Sequence, residues 1–414
     1  MTDPYPLRPV AEGEFETWAR MVADTYGGDL SDEQLVHERA STELHRTVGA
    51  FDGPAPVGGT AAHTRVLTVP GALLPVAGVT WVGVTPTHRR RGILTSMMRR
   101  QLTDLHTSGA EPIAALRPSE AAIYGRFGYG PATQGARLRC EKRALRFRPG
   151  TEFGDGTIRL LGRDQARPQI EKLYDLVRTG TVGWPGRNAN SWDSRLTDRP
   201  EERGGASAFR FALHHETDGR TTGYALYRIK QDASGGAGNA LQVVELATTS
   251  RQAYATLWRF LAGVDLISWI EYEGAVDEPL PHLLTDPRAV RSAPVDRLWV
   301  RLVDVDRALA ARSYAGALDL VLDVEDAFCP WNTGRYRLEA DQGTAVCART
   351  HAPADLRLSV AELGAAFLGG TTLASLAAAG LVQELRPGAL SRATVAFRAD
   401  REPYYPGGWA FPAY

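Results

Sequence analysis

Apolar and polar positions in the first third of the chain predict two strands separated by a helix. Residues 76–84 form an almost continuous apolar and β-branched run, which is typical of a buried strand. Residues 94–105 place apolar side chains at helical spacing, which predicts an amphipathic helix. A second apolar run at 112–116 predicts another strand, and a short helix is expected over 121–127. Because strand, helix and strand in this order build parallel or mixed sheets, the pattern favours an α/β fold.

The rest of the chain predicts two further units of similar character. The sequence changes near residue 146, where arginines and glycines accumulate, and again near 290, where prolines recur. We therefore predict three domains, 1–146, 147–290 and 291–414. The strands expected in the last two cover 208–213, 223–229, 241–247, 318–324 and 395–398, and the helices cover 169–177, 251–261, 305–313 and two short segments within 361–381.

Composition and charge restrict the classes of partner. The chain has 414 residues, of which 43% are apolar and 23% charged, as in globular proteins. Lysine and arginine number 47 and aspartate and glutamate 48, which gives a formal net charge of -1. Such a chain has no overall attraction to nucleic acid or to an anionic membrane, so we expect neither as a partner.

Cysteine and histidine patterns argue against metal chemistry. Cys140, Cys329 and Cys347 have no C-x-x-C spacing, and no H-E-x-x-H motif is present, so we predict no metal site. The first residues lack a basic cluster followed by an apolar core, which predicts a cytoplasmic protein rather than an exported one.

The segment 82–95 joins the first strand to the amphipathic helix and has the strongest chemical signal. It contains three consecutive arginines followed by Gly92, directly before the helix. Backbone N–H groups at a helix N-terminus are unpaired and carry the positive end of the helix dipole, so a pyrophosphate group fits there. The segment has neither a Walker A motif nor G-x-G-x-x-G, which disfavours ATP and NAD. The alternative is a basic surface turn.

A second signal follows the second strand, at residues 119–131. Tyr124, Phe127 and Tyr129 stand close together in this segment. These aromatic residues either contribute to a ligand site or belong to the core.

The two segments resemble those of GNAT N-acetyltransferases. Arg89 and Gly92 match the motif Arg/Gln-x-x-Gly-x-Gly/Ala, Leu94 replaces its usual small residue, and Tyr124 begins a segment similar to Tyr-x-x-x-Gly-Phe/Tyr. More narrowly, the strings VGVTPTHRRRGILTSMM and SEAAIYGRFGYGPAT, the chain length and the aromatic C-terminus resemble the Eis (enhanced intracellular survival) family of bacterial acetyltransferases. The resemblance implies an α/β (α+β) architecture: two GNAT-type mixed-sheet domains in tandem, the second without the cofactor motif, and a C-terminal domain like sterol carrier protein 2. It also implies a homohexamer.

The same resemblance implies roles for particular residues. Tyr124 would be the general acid, and the terminal carboxylate of Tyr414, brought to the active site by an aromatic tail, would be the general base. Acetyl-CoA would be held by Val82, Gly83, Val84, Arg90, Arg91, Gly92, Ile93, Leu94, Thr95, Ser119 and Glu120. Candidate walls of the amine pocket are Trp81, Asp24, Asp29 and Arg117.

The function implied is an acetyl-CoA-dependent N-acetyltransferase that modifies primary amines by direct transfer in a ternary complex. Aminoglycosides, acetylated at several positions, are the first substrate class, and polyamines and lysine side chains remain open. The alternative is a non-catalytic protein that binds acyl-CoA or lipid. For the aromatic tail, the alternative is that it only packs.

Overall fold

The computed structural model describes residues 5–232 and 238–409. The strands in these ranges are β1 (Leu7–Arg8), β2 (Thr47–Asp52), β3 (Ala55–Val69), β4 (Ala72–Val84), β5 (Ile113–Leu116), β6 (Gly130–Pro131), β7 (Gln134–Glu141), β8 (Thr157–Leu161), β9 (Arg210–His215), β10 (Thr221–Lys230), β11 (Ala240–Thr248), β12 (Trp269–Ala275), β13 (Val290–Asp296), β14 (Trp299–Leu302), β15 (Leu318–Glu325), β16 (Gly334–Asp341), β17 (Thr344–Arg349), β18 (Leu356–Ser359) and β19 (Val382–Glu384).

The α-helices are interspersed among these strands along the chain. They are α1 (Phe15–Thr25), α2 (Asp32–Ser41), α3 (Ile93–Ser108), α4 (Ala121–Tyr124), α5 (Arg163–Arg178), α6 (Ala189–Leu196), α7 (Arg251–Gly263), α8 (Leu280–Leu283), α9 (Val305–Ala310), α10 (Val360–Ala366), α11 (Leu373–Ala378) and α12 (Ala389–Phe397).

The chain folds into two compact units. The first contains the described residues up to 133, 185–194 and those from 297 onward, and the second contains 134–184 and 195–296. The division into three domains at 146 and 290 stays a prediction beside this partition.

A seven-stranded sheet forms the centre of the first unit, in the order β1-β2-β3-β4-β5-β14-β6. Different helices cover its two faces. Neighbouring residues of a strand point to opposite faces, and they therefore show which helix covers which face. Ala61 packs with Trp18 of α1, whereas Ala62 packs with Met98 and Leu102 of α3. β4 and β5 are parallel, as expected for strands joined through a crossover helix.

The C-terminal part of the chain is built into the first unit. Its strand β14 pairs with β5, and a second sheet follows in the order β17-β16-β15-β18-β19. α10 packs closely on β6 and β14, where a Cβ atom at Gly130 would lie 1.9 Å from the carbonyl oxygen of Ala361. Only glycine permits this approach of two backbones.

The second unit contains the sheet β13-β7-β12-β11-β10-β9-β8. β11 and β12 are parallel and are joined through α7, whose Leu257, Trp258 and Leu261 pack into the core of this unit. The unit thus repeats the strand, helix and strand of β4, α3 and β5.

One predicted element is wrong. Residues 395–398 were expected to form a strand but belong almost entirely to α12. Ala389, Ala393 and Ala396 are buried and Val395 is 62% exposed, which is a helical rather than a strand pattern. Three apolar residues followed by an arginine are too few to distinguish the two periods.

Candidate active site

β4, the strand that precedes the three consecutive arginines, contains a β-bulge. β3 and β4 pair at Gly59 with Gly83 and at Ala61 with Thr80, so that β4 has an additional residue between these pairs. The extra length is taken up at Trp81, whose φ is 57°. The Trp81 side chain is fully buried against Trp18, with ring centroids 5.2 Å apart, so this predicted wall of the amine pocket belongs to the core instead.

β4 and β5 separate after a short parallel contact. They pair only between Val76–Gly78 and Ile113–Ala115, and β5 ends at Leu116 whereas β4 continues to Val84. No strand within the described ranges pairs with residues 79–84 on the β5 side. Backbone groups of the predicted residues Val82, Gly83 and Val84 therefore lie along an open edge. The Val82 carbonyl oxygen accepts a hydrogen bond from Tyr26 Oη at 2.7 Å.

The N-terminus of α3 lacks an internal cap. Its N-cap residue is Gly92, with φ 83°, and it has no side chain to accept a hydrogen bond from the first turn. A Cβ atom at Gly92 would meet no heavy atom within 4 Å, so the main chain is open there. The N–H groups of Ile93, Leu94 and Thr95, which are the first three of the helix, are thereby left for a ligand or water. Their side chains differ: Ile93 is buried, Leu94 half-buried and Thr95 exposed.

Arg89, Arg90 and Arg91 are exposed immediately before this helix terminus. Arg91 Nη1 donates to Tyr5 Oη at 2.6 Å, and Arg90 adopts a φ of 64°. Positive side chains and the helix dipole act in the same direction here, which favours a bound anion.

The corresponding helix of the second unit is capped by its own sequence. Only two residues separate β11 from α7, and Ser250 accepts a hydrogen bond from the N–H of Ala253 at 3.2 Å. One N–H group of the first turn of α7 is thus capped by a side chain, unlike those of α3. That the second unit lacks the cofactor motif stays a prediction.

Tyr124 lies at the end of α4, and its side chain is 4% exposed. Its ring meets Tyr129 edge to face with centroids 6.1 Å apart. Ser119 and Glu120 are exposed in the connection from β5 to α4. Phe127 and Tyr129 are core residues, and burial raises the pKa of Tyr129 well above its usual range.

The described part of the C-terminal tail packs on β4. Tyr405 and Trp409 are buried with ring centroids 5.0 Å apart, and the backbone N–H of Trp409 donates to Tyr405 Oη at 3.2 Å. A Cβ atom at Gly78 would lie 3.3 Å from Trp409 Cδ2. Gly78 is the last residue of β4 that pairs with β5, so the tail reaches the point where these strands separate. Tyr414 itself lies outside the described residues.

Several arginine side chains lie near Tyr405, where the described part of the tail packs. Burial raises the pKa of Tyr405 to about 12, and the nearby guanidinium groups of Arg117, Arg187 and Arg65 oppose that shift. Arg117 was predicted as a wall residue, whereas Arg65 and Arg187 had no signal in the sequence, because only the docking of the tail brings them together. Asp24 and Asp29 are exposed at and beyond the end of α1.

No helix within residues 5–232 and 238–409 combines the length and the apolar character that crossing a bilayer requires.

Family comparisons agree with this architecture. Residues 6–132 and 183–302 match acetyltransferase (GNAT) domains, and residues 305–406 match a sterol carrier protein domain. The predicted fold class is thereby confirmed: two GNAT domains and a sterol carrier protein domain, with mixed sheets.

Individual relatives cover nearly the whole chain. The protein is 42% identical over 412 residues to an uncharacterized N-acetyltransferase of Streptomyces avermitilis, with 97% of this chain and 99% of the relative aligned. It is 37% identical over 360 residues to the N-acetyltransferase Eis of Mycobacterium tuberculosis, which covers 85% of each chain. The crystal structure of Eis1 from Mycobacterium abscessus is similar with a TM-score of 0.85 and 34% identity over 98% of this chain and 100% of that one. Together with the two GNAT domains, these similarities place the protein in the Eis family of GNAT N-acetyltransferases.

Proposed function

We propose that the protein transfers the acetyl group of acetyl-CoA to primary amines, with aminoglycosides, acetylated at several positions, as the first substrate class. Polyamines and lysine side chains are the other classes. One observation carries the proposal: the open edge of β4 is connected by the eight residues 85–92 to the uncapped N-terminus of α3. The use of acetyl-CoA is implied by the GNAT domains, and the preference for aminoglycosides rests on the family resemblance.

Two kinds of contact would hold acetyl-CoA. The backbone N–H groups of the first turn of α3 are suited to the pyrophosphate, because they are unpaired and lie at the positive end of the helix dipole. The open edge of β4 is suited to the amide groups of pantetheine, because these groups hydrogen-bond as a strand does. The residues assigned to these contacts are Val82, Gly83, Val84, Arg90, Arg91, Gly92, Ile93, Leu94 and Thr95, with Ser119 and Glu120 flanking the cofactor.

The proposed reaction has no acyl-enzyme. The amine nitrogen attacks the thioester carbon, a C–N bond forms and the C–S bond breaks. Tyr124 Oη gives a proton to the departing thiolate, and the terminal carboxylate of Tyr414 takes the proton of the attacking nitrogen. The arginine side chains near Tyr405 favour the ionised form of a carboxylate that approaches this residue.

Thiol release from acetyl-CoA tests this proposal directly. Untagged protein is incubated with acetyl-CoA and kanamycin, spermidine or a lysine-containing peptide, and free CoA is measured. We expect amine-dependent release, with the largest rate for the aminoglycoside. Release with none of the amines together with no binding of acetyl-CoA would contradict the proposal and favour the non-catalytic binding protein.

Gly92→Ala is expected to weaken acetyl-CoA binding about tenfold. Gly92 has φ 83°, and an alanine in this conformation costs about 1–2 kcal/mol. A backbone that relaxes to relieve this strain turns the first N–H groups of α3 away from the ligand. Calorimetric titration with acetyl-CoA measures the effect. Gly109→Ala is the matched control, since Gly109 has φ 62° at the opposite end of the same helix. Equal affinity losses in the two variants would mean that Gly92 acts only through helix stability.

Tyr124→Phe is expected to lower kcat about 100-fold and to leave the affinity for acetyl-CoA unchanged, because only the proton donor is removed. Steady-state kinetics with a saturating amine measure the change. Tyr129→Phe serves as the control: the Tyr129 hydroxyl is buried and has no hydrogen-bond partner in the described parts of the chain. An unchanged kcat for Tyr124→Phe would exclude Tyr124 from proton transfer.

The assembly follows from the resemblance alone, whereas the location is the prediction made from the sequence pattern. We propose a homohexamer located in the cytoplasm. Sedimentation velocity of the full chain, which separates a hexamer from smaller assemblies, tests the first of these.

A further inference from the structure

Tyr5 lies two residues before β1, next to the loop 85–92 that connects β4 to α3. β1 anchors the chain here, since it pairs with β2. In addition, the Pro6 carbonyl oxygen accepts a hydrogen bond from the N–H of Phe51 at 3.3 Å. Backbone pairing at the edge of the central sheet thus fixes the position from which the Tyr5 side chain starts.

Packing fixes the Tyr5 side chain on two sides. The ring is half-buried and packs against an apolar cluster to which β2, β3 and α3 contribute. From the loop, the His88 ring meets the Tyr5 ring edge to face, with centroids 5.5 Å apart. The phenol oxygen is therefore presented to the loop in a defined position. The members of the cluster are Val48, Ala50, Val57, Ile93 and Met97.

The phenol oxygen of Tyr5 orders one of the three arginines of this loop. It accepts a hydrogen bond at 2.6 Å from Nη1 of Arg91, an exposed residue. A guanidinium group has several N–H donors, so a bond to one phenol oxygen leaves others for a ligand. A long side chain loses conformational entropy when a ligand orders it. A guanidinium group that is held in place beforehand therefore binds more tightly.

The positive charge of Arg91 is not neutralised within the described chain. No carboxylate of the described residues lies within ion-pair distance of Arg89, Arg90 or Arg91. Asp52, which lies close to this loop, contacts His88 Nε2 at 3.2 Å. A guanidinium group without a carboxylate partner, next to the uncapped N-terminus of α3, is suited to a phosphate group.

We propose that Tyr5 is a positioning residue for the cofactor: its hydroxyl group holds the Arg91 guanidinium group where it binds a phosphate of CoA. This inference rests on the acetyl-CoA site of the proposed function. CoA has a pyrophosphate and a 3′-phosphate, and both present the acceptor oxygens that a guanidinium group favours. Through Tyr5, the segment before β1 contributes to a site whose other residues lie between 82 and 120.

A double-mutant cycle on the affinity for CoA, measured by titration calorimetry on the full chain, tests the proposal. Tyr5→Phe removes the hydroxyl group and keeps the ring, and it should raise the Kd about fivefold. Arg91→Met should raise the Kd about tenfold or more. In the Arg91→Met background, Tyr5→Phe should have no further effect, because Tyr5 acts through Arg91. CoA is used instead of acetyl-CoA so that the measurement does not depend on turnover.

The same cycle with 3′-dephospho-CoA identifies the phosphate. If Arg91 binds the 3′-phosphate, Tyr5→Phe and Arg91→Met should leave the affinity for 3′-dephospho-CoA unchanged. If Arg91 binds the pyrophosphate, both variants should weaken the two ligands by the same factors. Each result supports the proposal and assigns the contact.

Arg100→Met is the matched control. It removes one exposed positive charge from α3, but Arg100 is paired with Asp104 at 2.7 Å, so the affinity for CoA should stay unchanged. An unchanged affinity in Tyr5→Phe would overturn the proposal. Equal losses from Tyr5→Phe in the wild-type and Arg91→Met backgrounds would also overturn it, because Tyr5 would then act through packing. If the wild type bound no CoA, the cofactor site of the proposed function would be wrong as well.

Discussion

Deletion of Tyr414 alone is expected to lower kcat about 1000-fold, while the affinity for acetyl-CoA stays unchanged. In the proposed reaction the deletion withdraws both the terminal carboxylate that accepts the proton of the amine and the aromatic ring beside it, and general-base catalysis contributes about 10²–10⁴. The new terminal carboxylate of the shortened chain would lie one residue, or about 3.5 Å, away from the required position. A misplacement of this size is enough to abolish proton transfer.

The described end of the tail supports this expectation. Trp409 is buried against Gly78, where β4 and β5 separate, so the last five residues start from a fixed point. The proposed reaction requires the terminal carboxylate to act within reach of this point, and five extended residues can span about 17 Å.

Two further variants isolate the carboxylate in this experiment. Tyr414→Phe keeps both the carboxylate and an aromatic ring and should retain near-normal kcat. Extension of the chain by two glycines keeps the Tyr414 ring but moves the carboxylate, and it should resemble the deletion. If the extended protein turns over as fast as wild type, the tail only packs and the base is another group.

Asp326→Ala is expected to lower the free energy of unfolding of the first unit by about 3–5 kcal/mol, because it leaves a buried guanidinium without its counter-charge. Arg301 of β14 is fully buried, and its Nη2 atom lies 2.5 Å from Asp326 Oδ2. Asp326 also accepts hydrogen bonds from the N–H of Cys329 and from Asn332 Nδ2. Urea denaturation of the full chain, followed by tryptophan fluorescence, measures the loss.

An exposed pair and a double replacement provide the controls. Asp319→Ala breaks the surface pair with Arg337 and should not change the denaturation midpoint measurably, since exposed pairs contribute little. Replacing both partners, Arg301→Met with Asp326→Leu, should recover most of the stability lost in Asp326→Ala, because no buried charge is then left alone. A wild-type midpoint for Asp326→Ala would show that water reaches Arg301.

The sequence by itself determined the local features of this protein. The almost continuous apolar run at 76–84 and the helical spacing at 94–105 correspond to β4 and α3, because strong periodic burial requires these elements whatever surrounds them. The anion-binding character of the segment before α3 was also predictable, since Gly92 and the following N–H groups are neighbours in the chain. The four-residue run at 395–398 was too short to carry the same information, and it became part of a helix.

Features that depend on contacts between distant residues were decided only by the tertiary structure. Gly78 and Trp409 are more than 300 positions apart, and nothing near either residue predicts that one packs on the other. Trp81 could equally have faced a ligand until the bulge in β4 turned it towards Trp18. Periodicity fixes which side of an element is buried, whereas the identity of its neighbour depends on how all the elements pack together.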